Sequence, residues 1–224
     1  MKRLALVLLA LVAPLTAGAQ MLWEPGVHFE VIEPAVPPST PGKIEVTEVF
    51  SYGCPYCFQA LAVADKLKAS LPAYAQMTYV PAAWNAGEAW PMFQRAFLTA
   101  QALGIAEANH VAMFEAIWKT GELPLINAET NQIRQPLPTI ADAARFYAKH
   151  AGIKEADFLA RAQSPEIDEA MRRADGLVKA YRVGGTPSFV VNGKYRTGKG
   201  LKSWDDLIRV VNYLVALEQA KATR

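Results

Sequence analysis

The sequence predicts an α/β domain, built on one sheet and interrupted by a helical insertion. Three observations lead to this prediction: a strand–helix–strand pattern, then a long helical block, then a helix–hairpin–helix pattern. With 224 residues, 52% of them hydrophobic and 20% charged, the chain is neither disordered nor collagen-like and can bury a core. The length fits one domain that carries an insertion.

The first 19 residues have the pattern of a secretory signal peptide. Met1-Lys2-Arg3 is positive, Leu4–Ala13 is apolar, and Ala17-Gly18-Ala19 supplies the small residues of a cleavage site. A membrane anchor or a buried helix is the alternative, but the apolar run is shorter than the roughly 20 residues that a span needs. We therefore expect residues 1–19 to be removed on export, with cleavage near Ala19.

The charge balance argues against a nucleic-acid partner. Removal of Lys2 and Arg3 lowers the number of basic residues from 23 to 21, which equals the 21 acidic residues. The mature chain is then neutral when histidine is uncharged, and its sequence contains no run of basic residues of the kind that binds nucleic acid.

The strand–helix–strand unit follows a short arm. Residues 20–42 contain five prolines and are predicted to form an extended arm. Lys43–Phe50 alternates as a strand, and the sequence Cys-Pro-Tyr-Cys joins it to a helix with apolar residues three and four apart. Met77–Ala82 is the second predicted strand.

The insertion is predicted to be helical and the end of the chain to return to the sheet. The helices expected in the insertion are Trp90–Leu103, Ala108–Lys119 and Ile140–His150, with a loop over Gly121–Pro138. A helix starting at Ser164-Pro165 runs toward Tyr181, Asn192-Gly193 joins a hairpin, and Ser203 caps a last helix whose apolar face includes Trp204. The predicted bounds are 43–84 and 164–224 for the sheet domain and 85–163 for the insertion.

The two cysteines, Cys54 and Cys57, point to thiol chemistry. A bridge between them would close a very small loop and constrain the unfolded chain little, so it is a poor structural disulfide. At a helix start, the free N–H groups favour a thiolate at Cys54, which we expect to be exposed, while Cys57 lies one turn later on the apolar face. The alternatives are an incidental surface disulfide or a zinc site, for which the only histidines, at positions 28, 110 and 150, are scattered.

A second motif, Gly-Gly-Thr-Pro, precedes the hairpin. The Thr186–Pro187 bond before a strand is a candidate cis peptide, although a trans proline at a strand edge is the default for an isolated motif.

Together these motifs resemble a known family. Cys54-Pro55-Tyr56-Cys57 after a strand, with Thr186-Pro187 before a Val-Asn-Gly-Lys hairpin, resembles the thioredoxin-fold disulfide oxidoreductases. With the signal peptide and the insertion, the chain is most similar to the DsbA-like family. The resemblance implies a thioredoxin-like fold with an inserted helical domain, and a periplasmic enzyme that donates its Cys54–Cys57 disulfide to newly translocated, reduced proteins. It implies no cofactor, since the disulfide is the only redox group, and it implies that a DsbB-type membrane oxidase re-oxidises this disulfide. We expect a monomer that binds neither metal nor nucleic acid.

The resemblance also implies roles for individual residues. Pro187 would be cis and face the cysteine pair, where the backbone around Thr186 binds substrate peptide, and Glu48 would be a buried acid that assists proton transfer at Cys57. The residues themselves place Glu48 on the face of Ile44 and Val46, with a water-exposed sheet edge as the alternative. Well-known members of the family have His and Val where this chain has Tyr56 and Thr186, so the function of a disulfide isomerase or reductase stays open as an alternative. A chaperone-like peptide-binding module is the third possible function.

Overall fold

The computed structural model describes residues 23–223, so the predicted signal peptide and its cleavage near Ala19 lie outside the described residues. The strands are β1 (Phe29–Val31), β2 (Ile44–Phe50), β3 (Ala75–Pro81), β4 (Ser188–Val191) and β5 (Tyr195–Thr197). The helices are α1 (Pro55–Ser70), α2 (Trp90–Ala102), α3 (Ala106–Trp118), α4 (Ile140–Ala151), α5 (Glu155–Ala162), α6 (Pro165–Ala180) and α7 (Trp204–Ala222).

The five strands form one sheet in the order β1-β5-β4-β2-β3. Only the pair β2–β3 is parallel within the described residues, and the other neighbouring pairs are antiparallel. All seven residues of β2 are buried, because strands flank it on both sides and helix α7 packs against it. The strand that leads into the cysteine pair is thus the most enclosed strand of the sheet.

Two apolar clusters make up the core. One lies between the sheet and the helices α1 and α7, and it includes Val46, Leu67, Phe189 and Leu214. The other starts at Phe50, contains both cysteines, and continues into the helices α2 to α5. The cysteine pair therefore lies where the sheet domain and the helical insertion share one core.

The predicted α/β architecture agrees with the structure. The helices α2 to α5 separate β3 from α6 in the chain, and the predicted hairpin forms with Asn192 and Gly193 both at positive φ, as a tight hairpin turn requires. The Ser203 hydroxyl accepts a 3.1 Å hydrogen bond from the Asp206 N–H and caps α7. Of the helices within residues 23–223, none combines the length and the apolar character that crossing a membrane requires.

Three details differ from the predictions. The N-terminal arm is extended but contributes β1 to the sheet edge beside β5, and α5 was not predicted as a separate helix. Trp204 was expected on the buried face of the last helix, but its side chain is 45% exposed. It is the first residue of α7, and the buried residues of this helix begin only at Leu207.

Candidate active site

The Cys54–Cys57 segment joins β2 to α1. Cys54 has extended backbone angles and occupies the N-cap position of α1, and Pro55 takes the first helical position, where a missing N–H leaves no bond unmade. The Cys54 carbonyl accepts hydrogen bonds from the N–H groups of Cys57 (3.1 Å) and Phe58 (3.2 Å). The helix therefore starts between the two cysteines, as predicted.

Close packing fixes the loop in front of Cys54. A Cβ atom on Gly53 would lie 2.6 Å from Trp90 Cδ1 and 3.0 Å from the Glu88 carbonyl oxygen, so only glycine fits. On the other side, the Trp118 indole N–H donates a 2.8 Å hydrogen bond to the Tyr52 carbonyl. Two tryptophans of the helical insertion thus hold the loop that carries the first cysteine.

The two thiols differ strongly in acidity. A hydrogen bond from the Cys57 side chain lowers the pKa of Cys54 to about 6 against the effect of burial, and the N–H groups of Cys57 and Tyr56 contribute to the lowering. Burial raises the pKa of Cys57 well above its usual range, and its interaction with Cys54 raises it further. Near neutral pH the pair therefore holds one thiolate, on Cys54.

The expectation that Cys54 is exposed is wrong. Its side chain is only 4% exposed, against 1% for Cys57, while Tyr56 between them is 65% exposed. The Cys54 sulfur lies 3.4 Å from the Thr186 carbonyl oxygen, so the Thr186–Pro187 segment covers it. The cover comes from a residue 132 positions away in the chain and has no local signal.

The Thr186–Pro187 peptide bond is cis, in agreement with the sequence prediction. This segment leads directly into β4, which pairs with β2 and so is held beside the strand that precedes the cysteines. The structure thus brings together Cys54, Cys57, Thr186 and Pro187, although the two motifs are far apart in sequence.

Glu48 lies in the middle of β2, opposite Phe189 on β4 and Tyr79 on β3. Its side chain is 3% exposed, so the alternative of a water-exposed sheet edge is wrong. Burial, with a smaller contribution from the charge of Asp65, raises the pKa of Glu48 to about 8. Within residues 23–223 its Oε2 atom has no hydrogen-bond partner. Glu48 is therefore a buried carboxyl that is mostly protonated at pH 7.

Sequence reasoning missed His110 as a structural partner of this region. Its ring packs against Phe50 at 4.9 Å between centroids, and its Nδ1 atom forms a 3.1 Å hydrogen bond with the Tyr52 hydroxyl. Burial, with a smaller effect of the Lys68 charge, lowers the pKa of His110 to about 4, so the ring is neutral. A signal was available, because His110 shares its helix face with Met113 and Phe114 three and four residues later.

A groove opens beside the cis proline. It has a volume of about 1250 Å³, and Thr186 and Pro187 form the part of its wall that adjoins Cys54. We call it the Pro187 groove. Trp204, which was predicted on the buried face of the last helix, also lines it, so the groove extends from the Thr186–Pro187 segment to the start of α7.

No group of three or more His, Cys, Asp or Glu side chains suited to a metal ion occurs within residues 23–223.

Comparison with known proteins identifies the family. Residues 64–212, more than half of the chain, match the model of the DSBA-like thioredoxin domain. The chain belongs to this family. The DSBA-like match begins after both cysteines, so the placement of Cys54 and Cys57 at the helix start comes from this chain's own residues and not from the matched range.

Proteins with similar sequences align with this chain over most of their length. The thiol:disulfide interchange protein DsbA of Azotobacter vinelandii is 35% identical over 83% of this chain and 79% of its own, and that of Pseudomonas aeruginosa is 33% identical over 89% and 87%. The crystal structure of the oxidoreductase DsbA from Xylella fastidiosa superposes with a TM-score of 0.77 at 33% identity, covering 89% of this chain and 99% of that one. The predicted thioredoxin-like fold with a helical insertion is confirmed.

Proposed function

We propose that this DSBA-like protein oxidises thiol pairs in newly exported proteins by donating its Cys54–Cys57 disulfide to them. Membership of the family makes it a thiol:disulfide oxidoreductase; the roles of the individual residues are our proposal. The observation that carries it is the difference between the two thiols, one with a pKa of about 6 and the other with a strongly raised pKa. Such a difference assigns separate roles to the two sulfurs.

The reaction starts from the oxidised protein. A substrate thiolate attacks the Cys54 sulfur, the Cys54–Cys57 bond breaks, and Cys57 leaves as a thiolate that takes up a proton. We assign the relay of this proton to Glu48, because its raised pKa keeps a proton available at pH 7. The product of this step is a mixed disulfide between the substrate and Cys54.

The second step releases the substrate. Another substrate thiolate attacks the substrate sulfur of the mixed disulfide, a substrate disulfide forms, and Cys54 leaves as a thiolate. The substrate loses two electrons and two protons, and the protein becomes a dithiol. The low pKa of Cys54 makes it a good leaving group and stabilises the reduced protein, which favours net oxidation of the substrate.

Four other residues support these steps. Pro55 fixes the start of α1 at the cysteine pair, and Tyr56, which lies between the two cysteines in the sequence, has an exposed side chain. Thr186 and Pro187 adjoin Cys54 and line the Pro187 groove, and we assign substrate binding to them.

The cycle requires an oxidant and an exported location. We propose that a DsbB-type membrane oxidase returns the dithiol to the disulfide, and that the protein works as a periplasmic monomer after cleavage near Ala19. N-terminal sequencing of the exported protein tests the cleavage, and gel filtration tests the monomer. A first residue far from position 20 would contradict the proposed cleavage.

The catalytic roles are tested with a reduced, denatured protein substrate of known disulfide pattern. The oxidised protein is expected to restore its disulfides and its activity. Cys57→Ser whose Cys54 first carries a glutathione disulfide should exchange glutathione for a substrate thiol and accumulate a mixed disulfide at Cys54, whereas Cys54→Ser should form none. Oxidation that persists in Cys54→Ser would reject the assignment.

The same material separates the alternative functions. Thiol alkylation of protein taken directly from the periplasm reports its redox state, and the proposal predicts the disulfide form. A stable dithiol would favour the isomerase or reductase. If the double variant Cys54→Ser/Cys57→Ser restored the activity of the substrate protein as well as the wild type does, a peptide-binding module would be favoured.

A further inference from the structure

The Pro187 groove carries more positive than negative side chains. Arg182, Arg196, Lys199 and Lys202 line it, and Glu30 is the acidic residue in its lining. The predicted mature chain is neutral, so this excess of positive charge is a local property of the groove and does not reflect the composition of the protein.

Few of these charges are neutralised by the protein itself. None of the four cations takes part in an ion pair within residues 23–223. Arg182 donates a 2.6 Å hydrogen bond to the Glu33 carbonyl oxygen, which leaves its charge uncompensated. Glu30 lies opposite Arg196 in the register of β1 and β5 but forms no ion pair with it, and it offsets one of the four positive charges in the count for the lining. The lining therefore has an excess of positive charge, and Arg182, Lys199 and Lys202 are the cations with no acidic residue opposite them in the described sheet.

An acidic helix start lies near one end of the groove. Asp205 and Asp206 are in the first turn of α7, and the Asp206 carboxylate accepts a 3.3 Å hydrogen bond from the Lys202 backbone N–H. Neither aspartate lines the groove. The Lys202 ammonium group is exposed and makes no ion pair with them, so it remains available to a ligand in the groove.

The groove also offers apolar surface between its charges. Pro187 and Leu201 contribute to its lining, and the 45% exposed indole of Trp204 lies at the start of α7. A concave surface that combines apolar contacts with uncompensated cations fits a peptide segment with both apolar and acidic side chains.

We propose that the Pro187 groove selects, among reduced exported proteins, segments in which acidic residues flank the reacting cysteine. This inference rests on the proposed function, because the groove adjoins Cys54 through Thr186 and Pro187. Acidic side chains around the substrate cysteine meet Arg182, Lys199 and Lys202, which raises the rate of encounter and holds the substrate next to the disulfide. Because these charges are near solvent, salt screens the preference.

Three peptides test the selection. Each contains two cysteines in the same neutral core, flanked on both sides by three glutamates, three glutamines or three lysines. The rate at which oxidised protein converts each peptide to its disulfide is measured by rapid alkylation at low and at high salt. We expect the acidic peptide to have a kcat/KM roughly three- to tenfold above the glutamine peptide at low salt, the lysine peptide to be the slowest, and the differences to shrink at high salt.

A second measurement does not depend on redox chemistry. The same peptides with serine in place of cysteine carry a common fluorescent label, and their binding is followed by anisotropy. The acidic peptide is expected to bind roughly three- to tenfold more tightly than the glutamine peptide.

Variants locate the preference on the surface. In Lys199→Gln/Lys202→Gln the acidic-to-neutral ratio should fall toward one in both measurements. The matched control Lys66→Gln/Lys154→Gln removes two exposed lysines outside the groove, makes the same change in net charge, and should keep the ratio.

The outcomes separate this proposal from the proposed function. Failure to oxidise any peptide would reject the function, while tighter binding of the acidic serine peptide would still support the groove. Equal rates and equal affinities for all three peptides would overturn the charge selection and leave the function intact. A preference that survives in Lys199→Gln/Lys202→Gln, or is lost in the control, would place the attraction outside the groove and would also overturn the proposal.

Discussion

Replacement of Glu48 by glutamine should change how the stability of the protein depends on pH. Glu48 is 3% exposed in the central strand β2, and burial raises its pKa from an ordinary value of 4.5 to about 8. The folded protein therefore holds the proton of this carboxyl more tightly than the unfolded chain does. As pH rises from about 4.5, the unfolded state loses its proton first, and the free energy of unfolding falls until pH reaches about 8.

The magnitude follows from the size of this difference. At about 1.36 kcal/mol per pH unit, a rise in pKa from 4.5 to about 8 lowers the free energy of unfolding by about 4 to 5 kcal/mol once the pH exceeds 8. Between pH 5 and pH 8 the loss is about 3 to 4 kcal/mol. A glutamine of nearly the same shape carries no charge, so Glu48→Gln removes this dependence.

The assay is urea unfolding of wild type and Glu48→Gln at pH 5, 6, 7 and 8, with the disulfide formed so that the thiols do not titrate. His110 also contributes to the pH dependence, because its pKa is lowered from 6.5 to about 4 in the folded protein. The unfolded chain takes up the proton of this histidine more readily, so its contribution to the free energy of unfolding rises with pH up to about 6.5, opposite to that of Glu48. The difference between the two proteins at each pH cancels His110 and every other shared group. The exposed Glu129→Gln serves as the control substitution, because it makes the same chemical change at the surface of the protein.

The sign of the expected result is specific. The variant should gain stability relative to wild type steadily from pH 5 to pH 8, by about 3 to 4 kcal/mol in total. Any fixed effect of the buried amide changes the offset and not the slope. A difference that stays constant over this range would refute the raised pKa of Glu48, and a difference that falls with pH would refute the sign of the argument.

Three further predictions concern the cysteine loop. Alkylation of the reduced protein should modify Cys54 first, with a midpoint near pH 6, and faster modification of Cys57 would contradict the assignment. Tyr56→His should raise the reduction potential, because an imidazolium beside the Cys54 thiolate stabilises the reduced form. Equilibration with glutathione buffers measures this potential, and a stabilisation of about 1.4 kcal/mol corresponds to roughly 30 mV. An equal or lower potential in the variant would contradict the prediction. Gly53→Ala should lower the free energy of unfolding by about 1 to 3 kcal/mol, because its Cβ would contact the Trp90 ring, whereas Gly176→Ala, with open space around it, should be neutral or stabilising in the same urea titration.

The sequence alone predicted the parts of this protein that depend on neighbouring residues. The start of α1 between Cys54 and Cys57 follows from a proline and the helical spacing after it, and the hairpin follows from Asn192-Gly193. Helix caps and tight turns are decided by a few consecutive residues, because their hydrogen bonds close within one turn of the chain. The order of these elements was sufficient to predict an α/β domain with a helical insertion.

The tertiary structure decided which of these residues are covered and what surrounds them. Cys54 is buried because Thr186 lies over it, and Glu48 is enclosed because β3 and β4 both pair with its strand. Trp204 lies outside the core and lines the Pro187 groove together with Lys199 and Lys202. Cys54 adjoins this groove through Thr186, although it is far away in the sequence. Burial and the electrostatic environment are sums over contacts between distant segments, so they exist only once the sheet has assembled. For this reason the thiol motif could be recognised from the sequence, whereas the cover over Cys54, the pKa of Glu48 and the charge of the groove required the fold.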